Sequence, residues 1–279
     1  MDTVQNLDEL RQRIRNWRNA GEKIALVPTM GALHEGHLSL VRLAREKAAR
    51  TVVSIFVNPK QFAPNEDFAT YPRDEEGDLE KLRGLGTDLV YIPDPGSVYA
   101  DGFSTTVHVD SVSEGLCAVS RPHFFDGVAT VVAKLFTRVQ PDIAIFGEKD
   151  YQQLLVIRRM ADDLDLNVEV LGGRIIREPD GLAMSSRNLY LSEEARKKAA
   201  IFPQTLSAIA GDAASGEPLG PLIDRALKTL ENAGFGIDYI EVRDGETLRP
   251  LETVGDRPAR VFGAVVLDGT RLIDNWPVV

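Results

Sequence analysis

One cysteine in 279 residues, Cys117, excludes an internal disulfide and any cysteine-rich metal cluster, which fits a reducing cytoplasm. Long apolar runs are missing as well. No stretch approaches the ~18 apolar residues of a membrane span, so a water-soluble chain without a membrane partner is expected. Basic charge is in deficit: 32 Lys and Arg against 42 Asp and Glu leave a formal net charge of -10. That balance argues against a nucleic-acid partner, because phosphate backbones are held largely through clustered Lys and Arg. The expected partner is therefore small. If it is itself an anion such as ATP, the few cations must be concentrated at one place to overcome the global repulsion. Histidine is scarce too, four in the whole chain, yet His34 and His37 stand three residues apart.

What is present is ordinary for a globular chain: 43% hydrophobic and 27% charged residues in 30.7 kDa, enough for one large α/β domain or a larger and a smaller one. The first 23 residues mix both charge signs and place Leu7, Leu10, Ile14 and Trp17 at helical spacing. They read as an amphipathic helix rather than a secretory leader. The runs KIALVP (23–28), TVVSIFV (51–57), TDLVYI (87–92), DIAIF (142–146) and NVEVL (167–171) read as strands alternating with helical patterns. Such alternation means parallel βαβ units, hence a Rossmann-like parallel sheet with flanking helices. The clearest helix is 124–140, whose Val128, Val131, Val132, Leu135, Phe136 and Val139 follow one buried face. STTVHVD (104–110) alternates apolar and polar residues and is expected as a half-exposed strand, at an edge that meets another subunit.

After Arg177 the texture changes. A turn-rich REPDGLAMSSRN is followed by helical stretches near 192–210 and 218–233, then by strand-like IDYIEVRD, ARVFGAVVLDGT and TRLIDNW. Asp268-Gly269 is a strong hairpin signal between the last two. The division expected is 1–177 for the Rossmann-like domain and 178–279 for a smaller α+β domain.

Four segments carry candidate chemistry. In VPTMGALHEGHLSLV (27–41) a strand ending at Val27 and a helix starting near Gly36 put the connection at the carboxyl end of a parallel strand, where α/β sheets bind ligands. Outward N–H groups at that helix start suit phosphate oxygens, and Gly31 and Gly36 permit close approach of the backbone. His34 and His37 would add donors to charge developing on a phosphate; the plainer reading makes them turn and first-turn residues. FGEKDYQQL (146–154) places Lys149 after another strand's carboxyl end, with Asp150 a helix cap. VNPKQFAPNEDFATYPR (57–73) carries Asn58 and Gln61, amides suited to a substrate hydroxyl or carboxylate. GLAMSSRN (181–188) offers two hydroxyls and Arg187 in a flexible-looking loop, a phosphate clamp or a surface turn.

The combination of HxGH after the first strand and MSSR after the last resembles the HIGH and KMSKS elements of class I aminoacyl-tRNA synthetases and small nucleotidyltransferases. Within that superfamily, PTMGALHEGH, SIFVNPKQF, YPR, RPHFFDGV, FGEKDYQQL and DGLAMSSRN, in this order over residues 24–192, resemble the pantothenate synthetase family, the AMP-forming ligases of pantoate and β-alanine. The resemblance implies that pantoate attacks the α-phosphate of ATP to give an adenylate, which β-alanine then opens. It places the ATP site on Met30, Gly31, Ala32, Leu33, His34, Glu35, Gly36 and His37, on Gly147, Glu148, Lys149 and Asp150, and on Ile176, Met184, Ser185, Ser186 and Arg187. Gln61, Gln153 and Asn58 fall on substrate positions; His37 falls on the proton donor, with His34 and Lys149 beside it on the phosphates.

The same resemblance implies magnesium with ATP, without naming a protein ligand for it. It also implies a homodimer, a cytoplasmic location and a lid role for 178–279. One departure is Lys60, where the family's NPMQF pattern has Met, so a pocket-facing Lys60 would change the local charge. Two rivals remain open: a nucleotidyltransferase that stops at AMP transfer, and a nucleotide-binding regulator without catalysis. The first would lack the NPKQF amides, and the second would lack His37 or Lys149.

Overall fold

The computed structural model describes residues 1–63 and 66–279, so residues 64 and 65 of the 57–73 segment lie outside the described residues. The chain divides into two compact units: Met1–Ser113, Arg121–Glu148 and Gln153–Arg174 form the first, and Glu114–Ser120, Lys149–Gln152 and Ile175–Val279 the second.

The first unit is built on a six-stranded parallel sheet. Its strands are β1 (Asp2–Val4), β2 (Ile24–Thr29), β3 (Arg50–Ile55), β4 (Leu89–Tyr91), β5 (Ile143–Gly147) and β6 (Glu169–Gly173), in spatial order β1-β4-β3-β2-β5-β6. The crossovers run through α1 (Leu7–Asn19), α2 (Glu35–Lys47), α3 (Glu75–Gly84), the single turn α4 (Pro95–Val98), and α6 (Phe124–Val139); the short α5 (Cys117–Ser120) precedes α6, and α7 (Tyr151–Asp163) joins β5 to β6. Val27, Val53, Val90 and Ile145 of the central strands pack with Leu40, Val41 and Ala44 of α2 in one core cluster. Strands lined by apolar residues on both faces are what a sheet covered by helices requires. Successive strands step outward from β2 to β3 to β4, whereas β5 and β6 lie on the other side of β2. That reversal between β2 and β5 is a topological switch point, where open α/β sheets leave a crevice outside the carboxyl ends.

Two expectations are corrected here. The N-terminal residues do not belong wholly to a helix: Asp2–Val4 pair in parallel with Leu89–Tyr91, and α1 begins only after Asn6, whose side chain accepts from Glu9 N–H at 2.8 Å. Three residues are too few for a period to show. The 104–110 segment pairs with no strand of its own chain; instead Val107 N–H donates to Thr130 Oγ1 at 3.0 Å and His108 Nδ1 lies 2.6 Å from Asp126 Oδ1. Within its own chain the segment is held by Thr130 and Asp126 of α6 rather than by a neighbouring strand among the described residues.

The second unit packs α8 (Glu193–Lys198), α9 (Ile201–Ala214) and α10 (Leu219–Asn232) with an antiparallel sheet of β7 (Gly236–Asp244), β8 (Ala259–Leu267) and β9 (Thr270–Val278). Phe202, Leu206, Leu230, Val261 and Leu272 centre its core. The Asp268-Gly269 turn has φ of 52° and 73°, the left-handed pair that a two-residue hairpin between Leu267 and Thr270 needs.

Candidate functional site

After β2 the chain makes a turn through Gly31 (φ 83°) and Ala32 (φ 50°) before His34 starts α2. Only glycine suits Gly31: besides its φ, a Cβ there would stand 3.1 Å from Asp78 Oδ2 and 3.2 Å from Ile55 Cγ2. Ala32 holds a left-handed conformation that an L-residue adopts at some cost, so the surroundings must impose it. They do so from α3. The buried Asp78 accepts Leu33 N–H at 2.7 Å, and Lys81 Nζ donates to Leu33 C=O at 2.9 Å, gripping one residue at both its backbone groups. Asp78 and Lys81 were not legible as site residues, since three residues on a helix give an ordinary ion-pair spacing; here the groups are 3.6 Å apart.

His34 is the N-cap of α2. Its Nδ1 accepts Gly36 N–H at 3.1 Å, while His34 N–H donates to His37 Nδ1 over a longer 3.4 Å, and the two rings lie 4.1 Å apart. This is a capping box made of two imidazoles in place of Ser or Thr and Glu. With both Nδ1 atoms accepting, the neutral rings carry their hydrogen on Nε2, the tautomer that presents N–H donors rather than lone pairs. Glu35 is exposed, and its hydrogen bond to Arg42 holds its carboxyl below the usual carboxylate range.

The NPKQF segment forms a short turn against α6. A Cβ on Gly127 would fall 2.2 Å from Lys60 C=O, so glycine is needed for this approach. Asn58 is 0% exposed: its Nδ2 donates to Gln61 Oε1 and to Gly127 C=O, both at 3.0 Å, and its Oδ1 accepts Tyr99 O–H at 2.8 Å and Lys60 N–H at 3.3 Å. Asn58 thus uses its polar atoms inside the protein, and its amide turns the Nε2 end of Gln61 outward from the pair as a donor. Burial pushes the Tyr99 phenol up to about 12. Arg121 of the RPHFFDGV motif donates to Gln61 C=O at 2.8 Å and pairs with Glu66. Lys60 is exposed, its ammonium 5.2 Å and 5.1 Å from the Tyr99 and Phe103 ring centres. Its charge is placed on aromatic faces.

Of the other site candidates, Gly147 ends β5 and Glu148 opens the 3-10 turn after it, both in the first unit, and Gln153 is half-buried on α7. Lys149, Asp150, Ile176, Met184, Ser185, Ser186 and Arg187 belong to the second. Lys149 has a side chain 21% exposed and 3.8 Å from Asp150. The 176–184 stretch is a tight hairpin rather than a flexible loop. Glu178 N–H donates to Leu182 C=O at 2.8 Å, Met184 N–H to Ile176 C=O at 3.0 Å, and Gly181 turns it at φ 93°. Ser185 then caps a 3-10 turn by accepting Arg187 N–H at 3.2 Å, and Ser186 is buried.

Among the described residues, no three His, Cys, Asp or Glu groups are gathered as a metal-ligand set, and no helix is long and apolar enough to cross a membrane.

Residues 2–277 match the family described as Pantoate-beta-alanine ligase. Pantothenate synthetases of Rhodospirillum rubrum and Caulobacter vibrioides are 53% and 52% identical, over 98% and 99% of this chain and 97% and 98% of theirs. The pantothenate synthetase structure from Thermus thermophilus superposes with a TM-score of 0.94 at 45% identity, covering 100% of this chain and 99% of that one. The Francisella tularensis pantoate-beta-alanine ligase, complexed with beta-gamma ATP and beta-alanine, gives 0.83 at 33% identity, covering 100% and 98%.

Proposed function

This chain belongs to the pantoate-beta-alanine ligase family, and we propose that it condenses pantoate with β-alanine, driven by ATP, through a pantoyl adenylate. The observation that carries the reading is the imidazole capping box at the switch point of a parallel sheet. It combines two imidazoles fixed at the positive end of a helix with a backbone turn that only glycine suits at Gly31.

A carboxylate is a poor electrophile, and its conversion to a mixed anhydride with AMP supplies a leaving group. In the first step a pantoate carboxylate oxygen attacks the α-phosphorus and pyrophosphate departs. In the second, the β-alanine amine attacks the acyl carbon and AMP leaves. That amine has a pKa near ~10, so it must shed a proton before it attacks. His37 donates to the phosphate oxygens as charge develops there, with His34 and Lys149 adding donors and Arg187 a fixed positive charge. The segments 30–37, 147–150 and 184–187 and Ile176 take the nucleotide, while Gln61 and Gln153 take the pantoate hydroxyls and carboxylate. Asn58 serves the same end by orienting Gln61. Residues 1–177 form the ATP- and pantoate-binding domain, and 178–279 the smaller lid domain that adds Met184–Arg187 to the nucleotide. Magnesium is expected with ATP, and it would supply positive charge against the phosphates. A cytoplasmic homodimer completes the proposal.

The decisive assay is the partial reaction. With pantoate, ATP and magnesium but no β-alanine, the protein should exchange labelled pyrophosphate into ATP; once β-alanine is added, AMP should form in step with pantothenate. A regulator exchanges nothing, and a nucleotidyltransferase ignores pantoate. Either result would overturn the ligase reading.

A further inference from the structure

Strand β9 breaks its own pattern at Asp274 and Asn275. Both are polar, adjacent in a strand, and 3% and 1% exposed, although neighbouring strand residues ordinarily point to opposite faces. Two consecutive buried polar side chains need partners on both sides, and these partners are informative. Asn275 Nδ2 donates to Lys149 C=O at 2.9 Å, while its Oδ1 accepts from Arg260. The Arg260 contact settles which end of the amide faces Lys149, so the donor is aimed at the carbonyl. Asp274 takes two hydrogen bonds from Arg177, at 2.6 and 3.1 Å, and one from Asn275 N–H at 2.7 Å. Arg177 in turn donates to Gly181 C=O at 3.0 Å, at the tip of the hairpin that leads into Met184–Arg187, and stacks 4.1 Å over the Trp276 ring.

We infer that Asp274 and Asn275 are a positioning pair, one strand step that sets the backbone at Lys149 and the hairpin ahead of Ser185–Arg187 against a common rigid reference. The inference rests on the ligase reading for what those two segments do, but not for the coupling itself. The physical need is plain: a flexible lysine and a short polar turn reach a transition state only as well as their main chains are held, and a misplacement of about 1 Å costs on the order of 10²-fold in rate. Neighbouring charges match the role. Burial drives the Asp274 carboxyl upward, and Arg177 and then Lys149 oppose it.

The test uses Asn275→Ala and Asn275→Asp in the full chain. Asp keeps the shape and an oxygen toward Arg260 but loses the donor to Lys149, so a role limited to filling space predicts that Asp retains the wild-type rate. Positioning predicts that both variants, with cooperative melting retained, lower kcat for pantoate-dependent pyrophosphate exchange by about tenfold or more while KM for pantoate stays within about twofold. Backbone amide exchange in the substrate-free protein gives a second readout. Amides of 149–152 should exchange about tenfold faster in Asn275→Ala, and those of α9 should be unchanged. If the wild type exchanges pyrophosphate and both folded variants do so at its rate, the positioning inference is wrong. If the wild type exchanges none, the ligase reading fails instead, and unaltered amide exchange at 149–152 then overturns the pair independently.

Discussion

The two units hold their candidate phosphate-binding groups by opposite means. In the first, His34 and His37 are fixed within three residues of chain, each ring tied to a backbone N–H of the same helix start. In the second, the backbone carbonyl of Lys149 is held by a residue 126 positions away, and Arg177, in the hairpin ahead of Ser185–Arg187, by one 97 positions away. A local device forms wherever its helix forms; a remote one exists only after the whole unit has folded. The histidine geometry should therefore survive changes elsewhere in the chain, whereas the Lys149 segment should feel any loosening of β9.

The largest expected effect strikes the local device. His37→Ala should cut pantoate-dependent exchange by ~10² to 10⁴ with little change in melting temperature, the range for losing a positioned acid or electrostatic stabiliser. Single-turnover rates within threefold of wild type would remove His37 from the chemistry. On the remote side, Asp274→Ala leaves the Arg177 guanidinium, 19% exposed, without its buried partner. A loss of ~3 kcal/mol in stability is expected, at the lower end for a broken buried pair because water reaches Arg177 in part. Denaturant titration reads it, and a loss below about 1 kcal/mol would show that the pair is not the anchor of this unit. Lys149→Ala should slow exchange much more than Lys47→Ala, whose lysine is exposed in the last turn of α2; equal effects would erase the contrast between the segments.

Asp78 tests whether the local device is as self-sufficient as it looks. Asp78→Ala removes the acceptor for Leu33 N–H and should cost about 1.5–3 kcal/mol, while Asp78→Asn keeps an acceptor and should cost less. If either variant also slows exchange as much as His37→Ala, the histidine turn depends on α3 and the contrast narrows. The smallest effect concerns His108, which belongs to neither device. Its hydrogen bond to Asp126 raises its pKa above the ordinary 6.5. A raised folded pKa means that the contribution is complete below the unfolded value and is lost as pH rises through the folded one. His108→Gln should therefore lower the melting temperature slightly near pH 5.5 and leave it unchanged near pH 8.5. The pair is exposed, so the difference is at most ~0.5 kcal/mol.

The alternation of apolar strands with amphipathic helices made the parallel sheet legible, and with it the carboxyl-end positions of the HxGH turn and of Gly147–Asp150. The C-terminal strands and their Asp268-Gly269 turn were equally readable, because both signals lie within a few residues. Strand β1 was not, since three residues carry no period. Within the single chain 104–110 forms no strand, since alternation records which side chains are covered, not what covers them. Asn58 reads as a substrate amide; what the sequence did not show is that its polar atoms are engaged inside the protein by Gln61, Lys60, Gly127 and Tyr99, the last two 69 and 41 residues away.

Composition and local order determined, without any coordinates, the sheet-and-helix class, the expectation of a small partner and the family resemblance. They did so because hydrophobic period, turn chemistry and a helix start are short-range properties of the chain. Only the tertiary structure decided that Asp78 and Lys81 grip the turn before His34, that Lys60 rests on aromatic rings, and that Asp274 and Asn275 reach Arg177 and Lys149. Each of those facts is a contact between residues remote in sequence, 45 positions for Asp78 with Leu33 and 126 for Asn275 with Lys149, and such pairs meet only where the folded chain brings them together.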